Sequence, residues 1–229
     1  MSNKKGKKNK KRKLNKKRFI TSLIIFIILV LFICYIFNVN ITNIYIKGND
    51  YLSDQQIIDI SNLESYPKSI FNLTYKIKEK LEENDYVLSA KVKKNLFLNK
   101  IYITIEENYP LFYYQVEDKT VLYNGEKKDD RVSTITIINK IPDTVYDKFI
   151  EKMRNVDKKI FERMSEIEYK PNEVDEERFF VLMNDGNYIY LTINKFLTVN
   201  KYLDMINSFG NKKGILYLDS GEYFDIFDE

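Results

Sequence analysis

The stretch Phe19 to Phe37, FITSLIIFIILVLFICYIF, constrains this chain more than any other. It has 19 residues and no charge, and 15 of them are Leu, Ile, Val or Phe. As a helix it is about 28 Å long at ~1.5 Å per residue, close to the hydrocarbon thickness of a bilayer. A buried helix of a soluble domain carries a polar stripe, and this stretch has none. It reads as a transmembrane helix. Residues 1–18 hold eleven Lys and Arg and no acid, while the remainder of the chain nets −7. Positive charge beside a span is retained on the cytoplasmic side. The sequence therefore predicts an N-terminus inside and everything after Phe37 outside. A cleaved signal peptide ends its apolar core at a small-residue site, which Asn38-Val39-Asn40-Ile41 does not offer, so an uncleaved anchor is expected. The basic tail, 1–18, reads as a topology signal and lipid-surface anchor. It has no aromatic residues on which bases could stack, so no nucleic-acid partner is expected.

Cys34, the only cysteine, lies inside the span, and the chain contains no histidine. Intramolecular disulfides, cysteine metal sites and Ser-His-Asp or Cys-His nucleophile systems are thereby excluded. The 18 Tyr and 15 Phe supply enough apolar surface for cores held by packing alone.

Past the membrane, Ile44 to Lys47 reads as a strand ended by Gly48-Asn49. Ser53 and Gln56 form a capping box, with Leu52 and Ile57 at the positions of a hydrophobic staple, so a helix is predicted over 54–61. Leu73, Ile77 and Leu81 recur every four residues and predict a second helix over 73–83, capped by Asn72. Leu88, Ala90 and Val92, then Ile101, Ile103 and Ile105, alternate with polar residues. They predict two half-buried antiparallel strands, and Leu96-Phe97-Leu98 between them reads as a loop tucked under the sheet, with a hydrophobic contact site as the alternative. Pro110 marks a boundary. Beyond it, strands are predicted over 111–116, 120–123, 134–138, 166–169, 179–183, 188–193, 215–218 and 223–227. Helices are predicted near 145–153 and over 198–208. Asn184-Asp185-Gly186-Asn187 is the clearest hairpin turn. All Gly and Pro are expected outside these elements.

The order β-α-α-β-β behind a single span resembles the POTRA module of the DivIB/FtsQ family of bacterial cell-division proteins. The resemblance is carried by IYIKGNDYLSDQQI, by LEENDYVLSAKVKKN, in which Val87, Ala90 and Val92 match, and by IYITIEENYPLFYY, in which Glu107 and Pro110 match. Asn108 and Leu96 depart from the family's usual Arg and Pro. The resemblance implies an α+β chain: basic tail 1–18, transmembrane helix 19–37, POTRA domain 41–109 and a mixed β domain with flanking helices, 110–229.

No residue set converges on a substrate. Ser65-x-x-Lys68 lacks the companion motifs of penicillin-binding enzymes. Glu106 and Glu107 are strand neighbours that point to opposite faces and cannot flank one bond. A binding module is the better reading, with no catalytic residue, metal or cofactor. A membrane-anchored cell-wall hydrolase or its regulator is the alternative, and an outer-membrane assembly factor is disfavoured because a large β-barrel is missing. The family resemblance implies a non-enzymatic scaffold at the division septum. It would bind DivIC/FtsB-like and FtsL-like single-pass proteins and connect them to septal peptidoglycan synthesis. It also implies partner capture by strand addition near the C-terminus, where Lys213 to Leu218 occupies the matching position. Ile215 and Tyr217 are expected on the open face, with Leu216 and Leu218 toward the helices, and Tyr223 and Phe224 extending the patch; the alternative is that these aromatics only finish the core.

Overall fold

The computed structural model describes residues 15–95, 97–210 and 212–227. Most of the basic tail, and Leu96, lie outside the described residues. The helix α1, Lys16–Asn38, spans the whole apolar stretch and buries none of its side chains in protein. It is the one helix among the described residues long and apolar enough to cross a membrane.

The chain divides into two compact units. The first comprises the residues up to Asn49 together with Ser53–Glu83 and Ser89–Ile105; the second comprises Asp50–Leu52, Asn84–Leu88 and Glu106–Glu229. In the first, β1 (Asn43–Lys47) is followed by α2 (Asp54–Ile60) and α3 (Thr74–Glu82), then β2 (Val87–Lys94) and β3 (Lys100–Glu107). The sheet order is β1-β3-β2, with β1 parallel to β3. The capping box forms: Ser53 Oγ accepts from the Gln56 N–H, and Gln56 Oε1 accepts from the Ser53 N–H. Ile101, Ile103 and Ile105 are buried as the alternation requires, and so are Ile57, Ile77 and Leu81 of the helices. On the opposite face Tyr45 stacks on its register partner Tyr102, with ring centroids 5.0 Å apart.

Gly48 ends β1 with φ +83°, and a Cβ there would sit 2.2 Å from the carbonyl oxygen of Ile105. Only glycine satisfies both the left-handed backbone and the close approach.

Three expectations for this region fail for local reasons. Leu73, not Asn72, occupies the cap position of α3, and the Asn72 amide donates instead to the Lys68 carbonyl. Leu88 is exposed, because the strand buries Val87 and Ala90, three residues apart, and so breaks the period of two. Phe97 does not tuck under the sheet; it is 63% exposed.

In the second unit β4 (Pro110–Tyr114), β5 (Lys119–Leu122), β6 (Lys127–Lys128) and β7 (Thr136–Ile137) lead into α4 (Asp143–Met153) and α5 (Lys158–Phe161). Then come β8 (Met164–Tyr169), β9 (Arg178–Met183), β10 (Tyr188–Thr192), a 3₁₀ segment (Ile193–Lys201), α6 (Tyr202–Ser208), β11 (Gly214–Tyr217) and β12 (Tyr223–Ile226). They form a nine-stranded mixed sheet in the order β12-β11-β10-β9-β8-β7-β4-β5-β6. The predicted hairpin is β9–β10, turned by Gly186 at φ +87°. The helix expected over 198–208 is shorter, since the chain stays 3₁₀ to Lys201. Pro110 and Gly214 open strands rather than lying outside them. The first residue of a strand is a place where proline is tolerated.

One face of this sheet is sealed. Phe149 of α4 stacks on Phe179 of β9 at 4.9 Å and meets Phe196 of the 3₁₀ segment edge-on at 5.7 Å. Leu111, Phe112, Ile137, Ile167, Val181, Ile189, Leu191 and Leu216 complete the core from the strands. Strand period and helix spacing converge on the same buried set, so among the described residues of this unit the helices pack on one face of β9–β12 and leave the other uncovered.

Candidate partner-binding site

On β9, Phe179, Val181 and Met183 point into the core, so Arg178, Phe180 and Leu182 point outward. The same parity sends Tyr188 and Tyr190 outward on β10 and Ile215 and Tyr217 outward on β11. Registers then align one cross-strand row: Phe180 opposite Tyr190, Tyr190 opposite Tyr217, Tyr217 opposite Tyr223. The ring centroids along it are 4.6, 5.3 and 4.5 Å apart. Each such pair contributes about 0.5–1.5 kcal/mol beyond its buried area. Tyr188 lies beside this row, stacked on Phe180 at 5.3 Å and touched edge-on by Phe227 at 5.8 Å.

The row is tied down by cations. The Arg178 guanidinium lies 3.6 Å from the Tyr190 ring centroid, and its Nε donates to Asp219 Oδ2 at 2.6 Å. Lys170 sits 4.9 Å over Phe180. Burial pushes the Asp219 carboxyl up, but the bonds from Arg178 and from the Ser220 N–H outweigh it and hold the group below the usual carboxylate range.

The expected site residues are distributed as follows. Leu216 and Leu218 are buried in the core, and Ile215 and Tyr217 are half-exposed on the open face. Tyr223 ends the aromatic row at 51% exposure. Phe224 belongs to the opposite face: neighbours on a strand cannot share one, and its ring stacks on Phe209 beside α6 at 5.0 Å. Lys213 is exposed, and its carbonyl accepts from the Phe227 N–H at 3.0 Å.

Residues 213–218 do not form the sheet's edge. β11 pairs in parallel with β10 and antiparallel with β12, so among the described residues the edge at this end of the sheet is the outer side of β12, β6 forming the other. The bond from Phe227 to Lys213 turns the N–H groups of residues 223 and 225 toward β11 by alternation, and those of Phe224 and Ile226 outward. Gly214 lets the two strands close, since a Cβ there would lie 2.0 Å from the Asp225 carbonyl oxygen. Sequence reasoning missed Phe180, Tyr188, Tyr190 and Arg178. Their signal was present as alternate aromatics on a recognised hairpin, but that β10 would pair with β11 was not legible from the hairpin.

Glu107 serves a different purpose. Its Oε2 accepts from the N–H groups of Asp50 and Tyr51, both at 2.8 Å, and its Oε1 from that of Leu52 at 2.7 Å. Both oxygens are committed to backbone, and the residue is only 9% exposed. Asn108 beside it donates to the Asp85 carbonyl and accepts from the Asn124 N–H. Among the described residues no group of three or more His, Cys, Asp or Glu is arranged to hold a metal.

Residues 39–108 match the family model described as "POTRA domain, FtsQ-type". Together with the apolar helix and the β-rich unit that follows, this defines a class: single-pass membrane proteins carrying an FtsQ-type POTRA domain. The chain is 30% identical over 196 residues to cell division protein DivIB of Bacillus subtilis, covering 82% of this chain and 74% of that one. It is 29% identical to DivIB of Bacillus cytotoxicus, over 83% and 78% of the two chains. The chain belongs to the DivIB family of cell division proteins. The solved extracytoplasmic domain of DivIB from Geobacillus stearothermophilus aligns at 22% identity with a TM-score of 0.37, over 45% of this chain and 93% of that one.

Proposed function

We propose that this chain is a non-enzymatic scaffold of the division complex. It is held in the cell membrane by α1, with its folded units outside and concentrated at the septum. Its partners are DivIC/FtsB-like and FtsL-like single-pass proteins, through which it connects to the septal peptidoglycan synthesis machinery. The observation that carries this reading is the open outer edge of β12 beside a solvent-facing aromatic row. An exposed edge offers unpaired N–H and C=O groups for strand addition, and aromatics beside it act as anchors. The residues proposed to contact a partner are Ile215, Tyr217 and Tyr223 by side chain and the outer backbone of 223–226. Leu216 and Leu218 would support them from the core, and Lys213 would flank the strand. The commitment of both Glu107 oxygens to backbone argues against that carboxylate as a catalyst.

The test is co-purification of the full chain with a DivIC-type partner from solubilised membranes. Tyr223→Ala should weaken capture by about 1–3 kcal/mol, as an interface anchor does, while the protein remains folded. Undiminished capture by a folded Tyr223→Ala protein would remove the aromatic row from the site. Glycan cleavage by the purified full chain would overturn the scaffold reading altogether.

A further inference from the structure

We infer that the first unit rests on the outer surface of the bilayer through an apolar wedge built from Phe71, Phe97 and Tyr66, so that the lipid interface is itself a binding partner of the POTRA domain. The wedge is fixed by contacts to the end of the transmembrane helix. Tyr35, three residues before the last residue of α1, donates from its hydroxyl to the Phe97 carbonyl at 2.8 Å. A rise of ~1.5 Å per residue puts Tyr35 within one turn of the point where the helix ends. An apolar stretch that spans the hydrocarbon core therefore places the Phe97 backbone at the edge of that core.

The second loop is pinned at the same height. The Ser69 N–H donates to the Val39 carbonyl and the Ile41 N–H to the Pro67 carbonyl, each at 3.0 Å. Lys68 Nζ donates to Asn38 Oδ1 at 3.0 Å. Lys94 joins the loop to β2, donating to the carbonyls of Ser69 and Asn72 at 2.5 Å each.

These two loops carry the most exposed aromatics of the unit: Phe71 at 68%, Tyr66 at 64% and Phe97 at 63%. Three of their non-glycine residues are left-handed, namely Ser65 (φ +60°), Tyr66 (φ +53°) and Leu98 (φ +60°). Such residues cost about 1–3 kcal/mol each and persist where the surroundings demand the geometry. Continuity with the span selects lipid as the occupant. A rim of Tyr and Phe at headgroup depth is the chemistry of a membrane interface, where an apolar ring is buried and a polar tip stays wet.

The chain contains no Trp, so one introduced indole reports alone. The full chain carrying Phe97→Trp, and separately Phe71→Trp, would be reconstituted in phosphatidylglycerol–phosphatidylethanolamine vesicles without any other protein. The proposal expects loss of emission when the lipid acyl chains are brominated near the headgroup, and protection from aqueous iodide relative to the same variants unfolded in urea. Either reporter staying open to iodide and unaffected by brominated lipid overturns it, and would hand the patch to a protein partner.

Discussion

Arg178 and Asp219 form the least exposed ion pair among the described residues, their side chains 13% and 9% exposed. The pair joins β9 to the residue that follows Leu218, just past the end of β11, across β10, and holds the guanidinium over Tyr190. The folded Asp219 carboxyl titrates below its unfolded value, so its contribution to stability is present above the unfolded pKa of ~3.9 and is lost as pH falls through the folded one. We predict that Asp219→Asn lowers stability by about 1.5–3 kcal/mol at pH 7. Denaturant unfolding at pH 7 and pH 3 checks it, since the gap between variant and wild type should narrow at the lower pH.

Glu107→Gln should destabilise by about 1.5–3 kcal/mol, because an amide NH₂ would face backbone N–H groups that now share a carboxylate. Glu106→Gln, on the exposed side of the same strand, should cost much less. Thermal melting of the two variants makes the comparison, and equal losses would refute it.

That contrast shows what the sequence could and could not yield. The alternation of Ile101, Ile103 and Ile105 already assigned Glu106 and Glu107 to opposite faces. It even continued the buried face onto Glu107, a carboxylate at a position where burial demands partners. Those partners are main-chain N–H groups more than fifty residues earlier, and no side-chain pattern records them. The capping box at Ser53 and the hairpin at Gly186 were legible because each is set by neighbouring residues. The edge of the second sheet was not. A hairpin signal identifies two adjacent strands, but whether β11 or β12 lies outermost depends on the parallel pairing of β10 with β11 after a helical crossover. Phe224 departs from the expected patch for a plainer reason: it neighbours Tyr223 on one strand and so faces the opposite side of the sheet.

Glycine positions offer a separate check. Gly186→Ala meets nothing within 4 Å, so only its left-handed backbone opposes the substitution, at a cost of about 1–2 kcal/mol. Gly48→Ala carries the same backbone cost and a clash with the Ile105 carbonyl, and should lose clearly more. Chemical denaturation of the two proteins should rank them in that order.

Topology follows from the charge asymmetry around α1. Protease added to wall-stripped cells should digest the part after Asn38 and spare the tail, because eleven basic residues precede the span. Loss of an N-terminal tag with the folded units intact would reverse the orientation.

The open edge of β12 permits a backbone test that side-chain truncation cannot give. Tyr217→Ala is a poor probe, since its ring is stacked on both Tyr190 and Tyr223 and its loss should cost stability of about 1–3 kcal/mol from those pairs alone. Proline in β11 is no better, because that strand bonds on both sides. Ile226→Pro is different. Its N–H points away from β11, and its side chain is 41% exposed, so the ring removes an outward donor while the ladder to β11 survives. Asp225→Pro removes an inward donor and should instead detach β12, with a drop in stability. The expected pattern is a near-native melting temperature but weakened DivIC-type capture for Ile226→Pro, and loss of both for Asp225→Pro. A folded Ile226→Pro protein that captures its partner as well as wild type would show that the partner docks on side chains and adds no strand to β12.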